Sequence, residues 1–222
     1  MLYEEYRNMD KLIWVYDSPF SRSIKWLLLN YKVSHQEHIL TWDEMATDEL
    51  LAKNPKRQVP TILSEEGIKV DSLLIALEFL PNTWHRSLDA KLFRLADSDV
   101  EAAIIFLFRA ELLKTKFGES EHSSLMLKAG IETYRSSIDH LLDHLQPNNN
   151  VYECNFGSVL LLSTILAAIS LATEEIKHYR QAELTTFINA VQNNAHYSEM
   201  IRLYQGETSN TVPFEFAKFH EL

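Results

Sequence analysis

Hydrophobic and polar positions follow two different rhythms along this chain. Over roughly the first 80 residues, short apolar runs alternate with amphipathic stretches. Leu12-Ile13-Trp14-Val15-Tyr16 is an unbroken apolar run, the pattern of a strand buried on both faces. Asp17 and Ser18 interrupt it, Pro19 follows, and Ile24, Leu27, Leu28 and Tyr31 then recur at i, i+3, i+4 and i+7, the stripe of an amphipathic helix. Proline is favoured at the first helical position, where a missing N–H costs no bond. A strand is therefore expected to run straight into a helix, with Ser18 at the junction. His35 to Leu40 reads as a second strand, and Met45 to Lys53 as a helix stopped by Asn54-Pro55. Pro60-Thr61-Ile62-Leu63 and Ile68-Lys69-Val70 read as a hairpin across the turn Glu65-Glu66-Gly67. Asp71 to Leu80, with Leu74, Ala76, Leu77 and Leu80 apolar, reads as a second helix.

Past Pro81-Asn82-Thr83-Trp84-His85, read as a linker, the strand signals vanish. Leu88 to Phe117 carries Leu92, Leu95, Ala96, Ala103, Phe106, Ala110 and Leu113 at helical spacing, ended by Gly118-Glu119-Ser120. A further helix holds Ile131, Tyr134, Ile138, Leu141, Leu142 and Leu145 on one face and stops at Pro147. An apolar helix is expected after Asn155, another over about Tyr179 to Ala195, and a short one around Ser198 to Tyr204. The fold class is therefore α/β plus all-α. A first domain over 11–81, with the βαβ then ββα order of a thioredoxin-like layout, precedes an all-helical domain over 88–222, and residues 1–10 form a flexible extension.

Composition narrows the function classes. The formal charge is −10 and the basic residues are scattered, which disfavours nucleic acid and anionic membrane, since phosphate backbones need clustered Lys and Arg. The longest apolar run, Val159 to Ala172, is broken by Ser163, Thr164 and Ser170 and falls short of the roughly 20 apolar residues of a membrane span. The first eleven residues include Glu4, Glu5 and Asp10 and no apolar core, which fits neither a signal nor a transit peptide. The single cysteine, Cys154, excludes an internal disulfide, fits the reducing cytoplasm, and has no paired base nearby in sequence.

Three pieces of the first domain are expected to meet at the C-terminal ends of its strands. Ser18-Pro19 sits at the first strand-to-helix junction. Asn54-Pro55-Lys56-Arg57-Gln58-Val59-Pro60 leads into a strand, and Val70-Asp71-Ser72 joins a strand to a helix start. A helix start combines unpaired N–H groups with the positive end of the dipole and so suits an anion. Each piece also has an ordinary reading, as a helix cap or an edge-strand start.

Taken in order, these pieces resemble the glutathione S-transferase family. Tyr16-Asp17-Ser18-Pro19-Phe20-Ser21-Arg22 is similar to the serine-containing turn of bacterial, theta- and zeta-like members. The Asn54 to Pro60 segment resembles the family's approach to its Val-cis-Pro, and Val70-Asp71-Ser72 its Glu/Asp-Ser motif. Leu95-Ala96-Asp97-Ser98-Asp99-Val100-Glu101-Ala102-Ala103 is similar to a stretch facing the family's substrate cleft. The resemblance implies an enzyme in which Ser18 supports the thiolate of glutathione while Phe20, Gln58, Val59, Pro60, Asp71 and Ser72 hold the tripeptide. Arg94, Asp97 and Glu101 would line the electrophile pocket. Glutathione is then a co-substrate, with no cofactor and no metal, and a cytoplasmic homodimer serving detoxification is expected. Two departures stand out. Arg57 occupies a position often glycine in the family, and Asn155-Phe156-Gly157-Ser158 replaces a Ser/Thr-x-x-Asp capping box.

Other readings compete. A zeta-like glutathione-dependent isomerase is suggested by Gln58-Val59-Pro60, although the turn lacks a Ser-Ser-Cys signature. A non-catalytic protein that kept the fold is the alternative outside enzymes. Serine at positions 18 and 21 disfavours thiol-disulfide exchange. The pairs His140/His144 and His35/His38 lack the ligand set of a zinc site, and Glu65-Glu66 belongs to a turn rather than to a hydrolytic dyad. Trp42 and Trp84 are read first as packing residues.

Overall fold

The computed structural model describes residues 10–147, 152–171 and 174–199. The chain divides into two compact units between Trp84 and His85.

In the first unit, β1 (Lys11–Val15), α1 (Pro19–Asn30) and β2 (Gln36–Leu40) precede β3 (Thr61–Ser64), β4 (Gly67–Val70) and α2 (Ser72–Leu77). The four strands order as β2-β1-β3-β4. β1 pairs parallel with β2 and antiparallel with β3, and β4 closes the hairpin on β3. This is the expected thioredoxin-like arrangement. β1 is central, and Leu12, Ile13, Trp14 and Val15 are buried, as an apolar run without alternation requires. Asp10, the last residue of the expected extension, leads into β1, its carbonyl accepting from the Gln36 N–H at 2.9 Å. The rest of that extension lies outside the described residues.

The helix expected over Met45 to Lys53 does not form. Two 3₁₀ turns, Glu44–Ala46 and Leu51–Lys53, stand there instead. Local side-chain bonds compete with the helical ladder. Glu44 accepts from the Thr41 N–H and hydroxyl at 2.8 and 2.9 Å, and Asp48 accepts from the Leu51 N–H at 2.7 Å.

The second unit is all helix among its described residues. α3 (Leu88–Arg94), a π-helical segment (Leu95–Val100) and α4 (Glu101–Phe117) form one run where a single helix was expected. The Ser98 hydroxyl donates to the Arg94 carbonyl within that segment, a back-bond of the kind that perturbs the ladder. α5 (Glu121–His144) starts on a capping box between Ser120 and Ser123. α6 (Phe156–Ser170) is buried from Phe156 through Ile169. A short α7 (Glu174–Lys177) and α8 (Gln181–Gln192) follow. Residues 195–199 are helical, and the remainder of the helix expected to Tyr204 lies outside the described residues. No helix among the described residues is long and apolar enough to cross a membrane.

The start of α6 shows how the missing acid of the capping box is replaced. The Asn155 N–H donates to Ser158 Oγ at 2.8 Å, and the Ser158 N–H donates to Asp89 Oδ1 at 3.1 Å. Asp89, on α3, is buried and meets a buried helix start that would otherwise leave N–H groups unpaired. Gly157 permits this approach, because a Cβ there would lie 2.0 Å from the Asp89 carbonyl oxygen and 2.8 Å from the Phe93 nitrogen. Both obstacles are backbone, so Gly157→Ala is expected to destabilise the helical unit by about 1–3 kcal/mol, read as a lower urea midpoint of the transition that melts α6.

Candidate functional site

Strand register decides which junctions share one end of the sheet. Val15 pairs with Leu40, Ile13 with Thr61, and Thr61 with Val70. The end of β1, the start of β3 and the end of β4 therefore stand side by side, about 5 Å apart from strand to strand. Ser18, Val59-Pro60 and Asp71-Ser72 leave the sheet at that one end.

Ser18 is the N-cap of α1, with its Oγ accepting from the Ser21 N–H at 3.2 Å. The Ser18 N–H donates to Val15 C=O at 3.2 Å, and Ser18 C=O accepts from the Arg22 N–H at 3.0 Å. Ser18 is 4% exposed, and none of its bonds within the described chain uses the hydroxyl proton. The first turn of α1 contains no acidic residue, so the positive end of the dipole is not cancelled there. Ser21 Oγ is buried without a hydrogen-bond partner among the described residues. Phe20, half-buried, is the second residue of the helix.

Asn54 organises the second junction. Its amide nitrogen donates to Gln58 C=O and to Thr61 Oγ1, both at 3.0 Å, and its Oδ1 accepts from the Lys56 N–H at 3.0 Å. The sequence marked Asn54 as a helix stop and as the head of the segment leading to Pro60, but not as the hub of these bonds. Arg57 holds φ 48°, in the left-handed region where a side chain costs about 1–2 kcal/mol, which accounts for glycine being the expected residue. Its guanidinium offsets the cost by donating to Met45 C=O at 3.0 Å and Asp48 C=O at 3.3 Å. Gln58 is exposed, Val59 half-buried and Pro60 buried, and the Val59–Pro60 bond is cis. The Val59 backbone N–H and C=O are not engaged by other backbone groups of the described chain.

Asp71 is the N-cap of α2 at φ 73°, ψ 119°. A non-glycine residue with positive φ is uncommon, and Asp tolerates it better than most. Its Oδ1 accepts from the Leu73 and Leu74 N–H groups at 2.9 and 3.2 Å. Ser72 is buried beside it. The sequence marked Asp71 as a cap but carried no sign of the backbone conformation.

The other candidates stand in the helical unit. Arg94 pairs with Asp97 at 2.9 Å on the α3 and π-helical run. Glu101, half-buried, has its carboxyl raised by burial and then by Asp97. Burial, helped by Asp89, pushes the Cys154 thiol up to about 12, so it is an inert sulfhydryl. Among the described residues no group of three or more His, Cys, Asp or Glu side chains is placed to hold a metal ion. His38 instead pairs with Asp48 at 2.7 Å, and His35 lies 3.0 Å from Lys25 Nζ.

The family described as "Glutathione S-transferase, N-terminal domain" matches residues 12–82, roughly a third of the chain and all three junctions. Solved structures extend the likeness. A glutathione S-transferase from Methylobacillus flagellatus, crystallised with glutathione bound, is 15% identical with a TM-score of 0.64, covering 86% of this chain and 98% of that one. The chain has the glutathione S-transferase fold. A glutathione S-transferase from the Antarctic clam Laternula elliptica is 15% identical at TM-score 0.67, covering 90% of this chain and 95% of its own. The transferase URE2P6 from Phanerochaete chrysosporium, solved with oxidised glutathione, is 10% identical at TM-score 0.70, with 91% and 99% covered. No functionally curated protein matches the sequence.

The loop before Gln58 carries a pH-sensitive tie. Partial burial pushes the Asp48 carboxyl up, but hydrogen bonds from His38 and the Leu51 N–H outweigh it and hold the group below its ordinary value. A carboxyl depressed in the folded state stabilises above its unfolded value and loses that contribution as pH falls through the folded one. Asp48→Asn is therefore expected to be less stable than wild type at pH 7 and to lose less stability on acidification below about pH 4, as read from urea unfolding at each pH.

Proposed function

We propose that this protein is a serine-type glutathione transferase, close in its site to the theta- and zeta-like bacterial members, that adds the glutathione thiolate to small electrophiles. The observation that carries the reading is the strand register that gathers Ser18, Val59-Pro60 and Asp71-Ser72 at one sheet end. An extended tripeptide pairs there with the Val59 backbone as an added strand. Ser72 offers hydroxyl and N–H donors to the γ-glutamyl carboxylate, and the second carboxylate oxygen of Asp71 receives the ammonium. Gln58, exposed beside Val59, donates to the glycyl end, and Phe20 packs on the ligand. Arg94, Asp97 and Glu101 in the helical unit contact the electrophile. Glutathione is consumed as a co-substrate, and the chemistry asks for no metal.

Ser18 supplies the chemical step. Its Oγ lone pair is held by the Ser21 N–H, which orients the hydroxyl proton toward an incoming sulfur. Such a charge-assisted bond contributes about 1.5–3 kcal/mol, and at about 1.4 kcal/mol per pKa unit it lowers a thiol from about 8.5 toward neutrality. The helix dipole acts in the same direction.

Self-association belongs to the same reading. Leu74 and Leu77 on α2, and Ile105, Phe108 and Leu112 on α4, are large apolar side chains that stand exposed in the single chain. Their burial in a homodimer is the proposed arrangement, with detoxification in the reducing cytoplasm as the setting that suits a lone cysteine.

Two measurements check these assignments. Ser18→Ala should lower conjugation of a chlorinated aromatic roughly 10- to 100-fold while glutathione binding by calorimetry changes little. Loss of binding in step with turnover would contradict the role given to Ser18, and binding without turnover in the wild type would mark a non-catalytic protein. Sedimentation velocity should report a dimer for the wild type and a smaller species for Phe108→Asp.

A further inference from the structure

Arg22 reaches back over the turn that presents Ser18. Its backbone N–H donates to Ser18 C=O at 3.0 Å, its Nε donates to Tyr16 C=O at 2.5 Å, and its Nη2 lies 3.7 Å from Asp17 Oδ1. Arg22 thus engages Tyr16, Asp17 and Ser18, the whole connection between β1 and α1. The guanidinium is buried and the carboxylate largely so, with side chains 4% and 9% exposed. A buried ion pair of this kind is weak evidence for stability, and it stands where the chain turns from strand into helix. A planar guanidinium directs several donors in fixed directions, so it can brace a carbonyl and a neighbouring carboxylate at once.

We propose that Arg22 is a positioning residue for the proposed thiolate chemistry: by bracing Tyr16 and Asp17 it holds the Ser18 hydroxyl at the helix start in the orientation that donates to the glutathione sulfur. This rests on the transferase reading above. Arg22 does not touch the tripeptide in this account and acts through the turn. Its charge is balanced by Asp17, so the effect on the thiol is transmitted by geometry rather than by the field of a free cation.

A merely structural role would move affinity and thiol ionisation together, and a positioning role separates them. With the brace removed, the binding groups at Val59, Gln58 and Ser72 remain, whereas the sulfur loses its oriented donor. In the full-length protein, the thiol pKa of bound glutathione is read from the pH dependence of thiolate ultraviolet absorbance, and the dissociation constant comes from calorimetry. Arg22→Met is expected to raise the bound thiol pKa by about one unit, a tenfold loss of thiolate below the pKa, with the dissociation constant within about threefold of wild type. Arg22→Lys keeps the charge but bridges only one of the two acceptors, and guards against misfolding of the methionine variant. An intermediate rise is expected for it. Asp17→Asn keeps an acceptor for Arg22 and removes the carboxylate charge beside it, so it distinguishes geometry from field. A thiol pKa near wild type is the expected result, and a clear fall overturns the geometric account. A wild-type thiol pKa in Arg22→Lys, or a loss of affinity that accounts for the whole loss of activity in both Arg22 variants, also overturns the inference. A wild-type protein that binds no glutathione overturns the transferase reading itself, and this inference with it.

Discussion

The pairing of β1 with β3 is the constraint on which the rest of the first unit depends. β1 is parallel to β2 and antiparallel to β3, so the end of the first strand and the start of the third coincide, and the hairpin to β4 returns the chain to the same place. The side chains of Leu12, Ile13, Trp14 and Val15 are almost wholly removed from water. Burial on that scale fixes the register, because a slip by one residue would exchange every side chain between the two faces. With the register fixed, a serine, a proline and an aspartate-serine pair spread over some 50 residues of chain arrive at one end of the sheet.

Much of this was legible in the amino-acid order, for physical reasons. An apolar run of five, a proline at a helix start and a hairpin bounded by Gly67 are local signals, and they gave β1, α1, β3 and β4 within a residue or two of their observed ends. What escaped was non-local or lay in the competition between side chain and backbone. Met45 to Lys53 reads as a helix stopped by Asn54-Pro55, yet Asp48 captures the Leu51 N–H that a helix would have used. The π-helical segment between α3 and α4 leaves no trace in apolar spacing, since the stripe continues across it. Arg22 was visible as the last residue of the stretch resembling the serine-containing turn, but its bonds to Tyr16 and Asp17 were not. The one hint was an opposite charge at Asp17, across the proline that starts the helix.

Two departures from the resembled pattern are resolved by contacts made far along the chain or across a loop. The acid absent from the start of α6 is supplied by Asp89, 69 residues earlier. The glycine absent at position 57 is replaced by an arginine that accepts a left-handed backbone and bonds to two carbonyls of the preceding loop. In both cases the backbone requirement is kept while the residue that meets it changes, so a motif search by residue type misses what a search by hydrogen-bond partner finds.

Cys154 is the sole sulfhydryl of the chain, and its surroundings keep it protonated up to about pH 12. At neutral pH the polypeptide therefore contributes no anionic sulfur. Alkylating reagents that need a thiolate are expected to react slowly with the polypeptide itself.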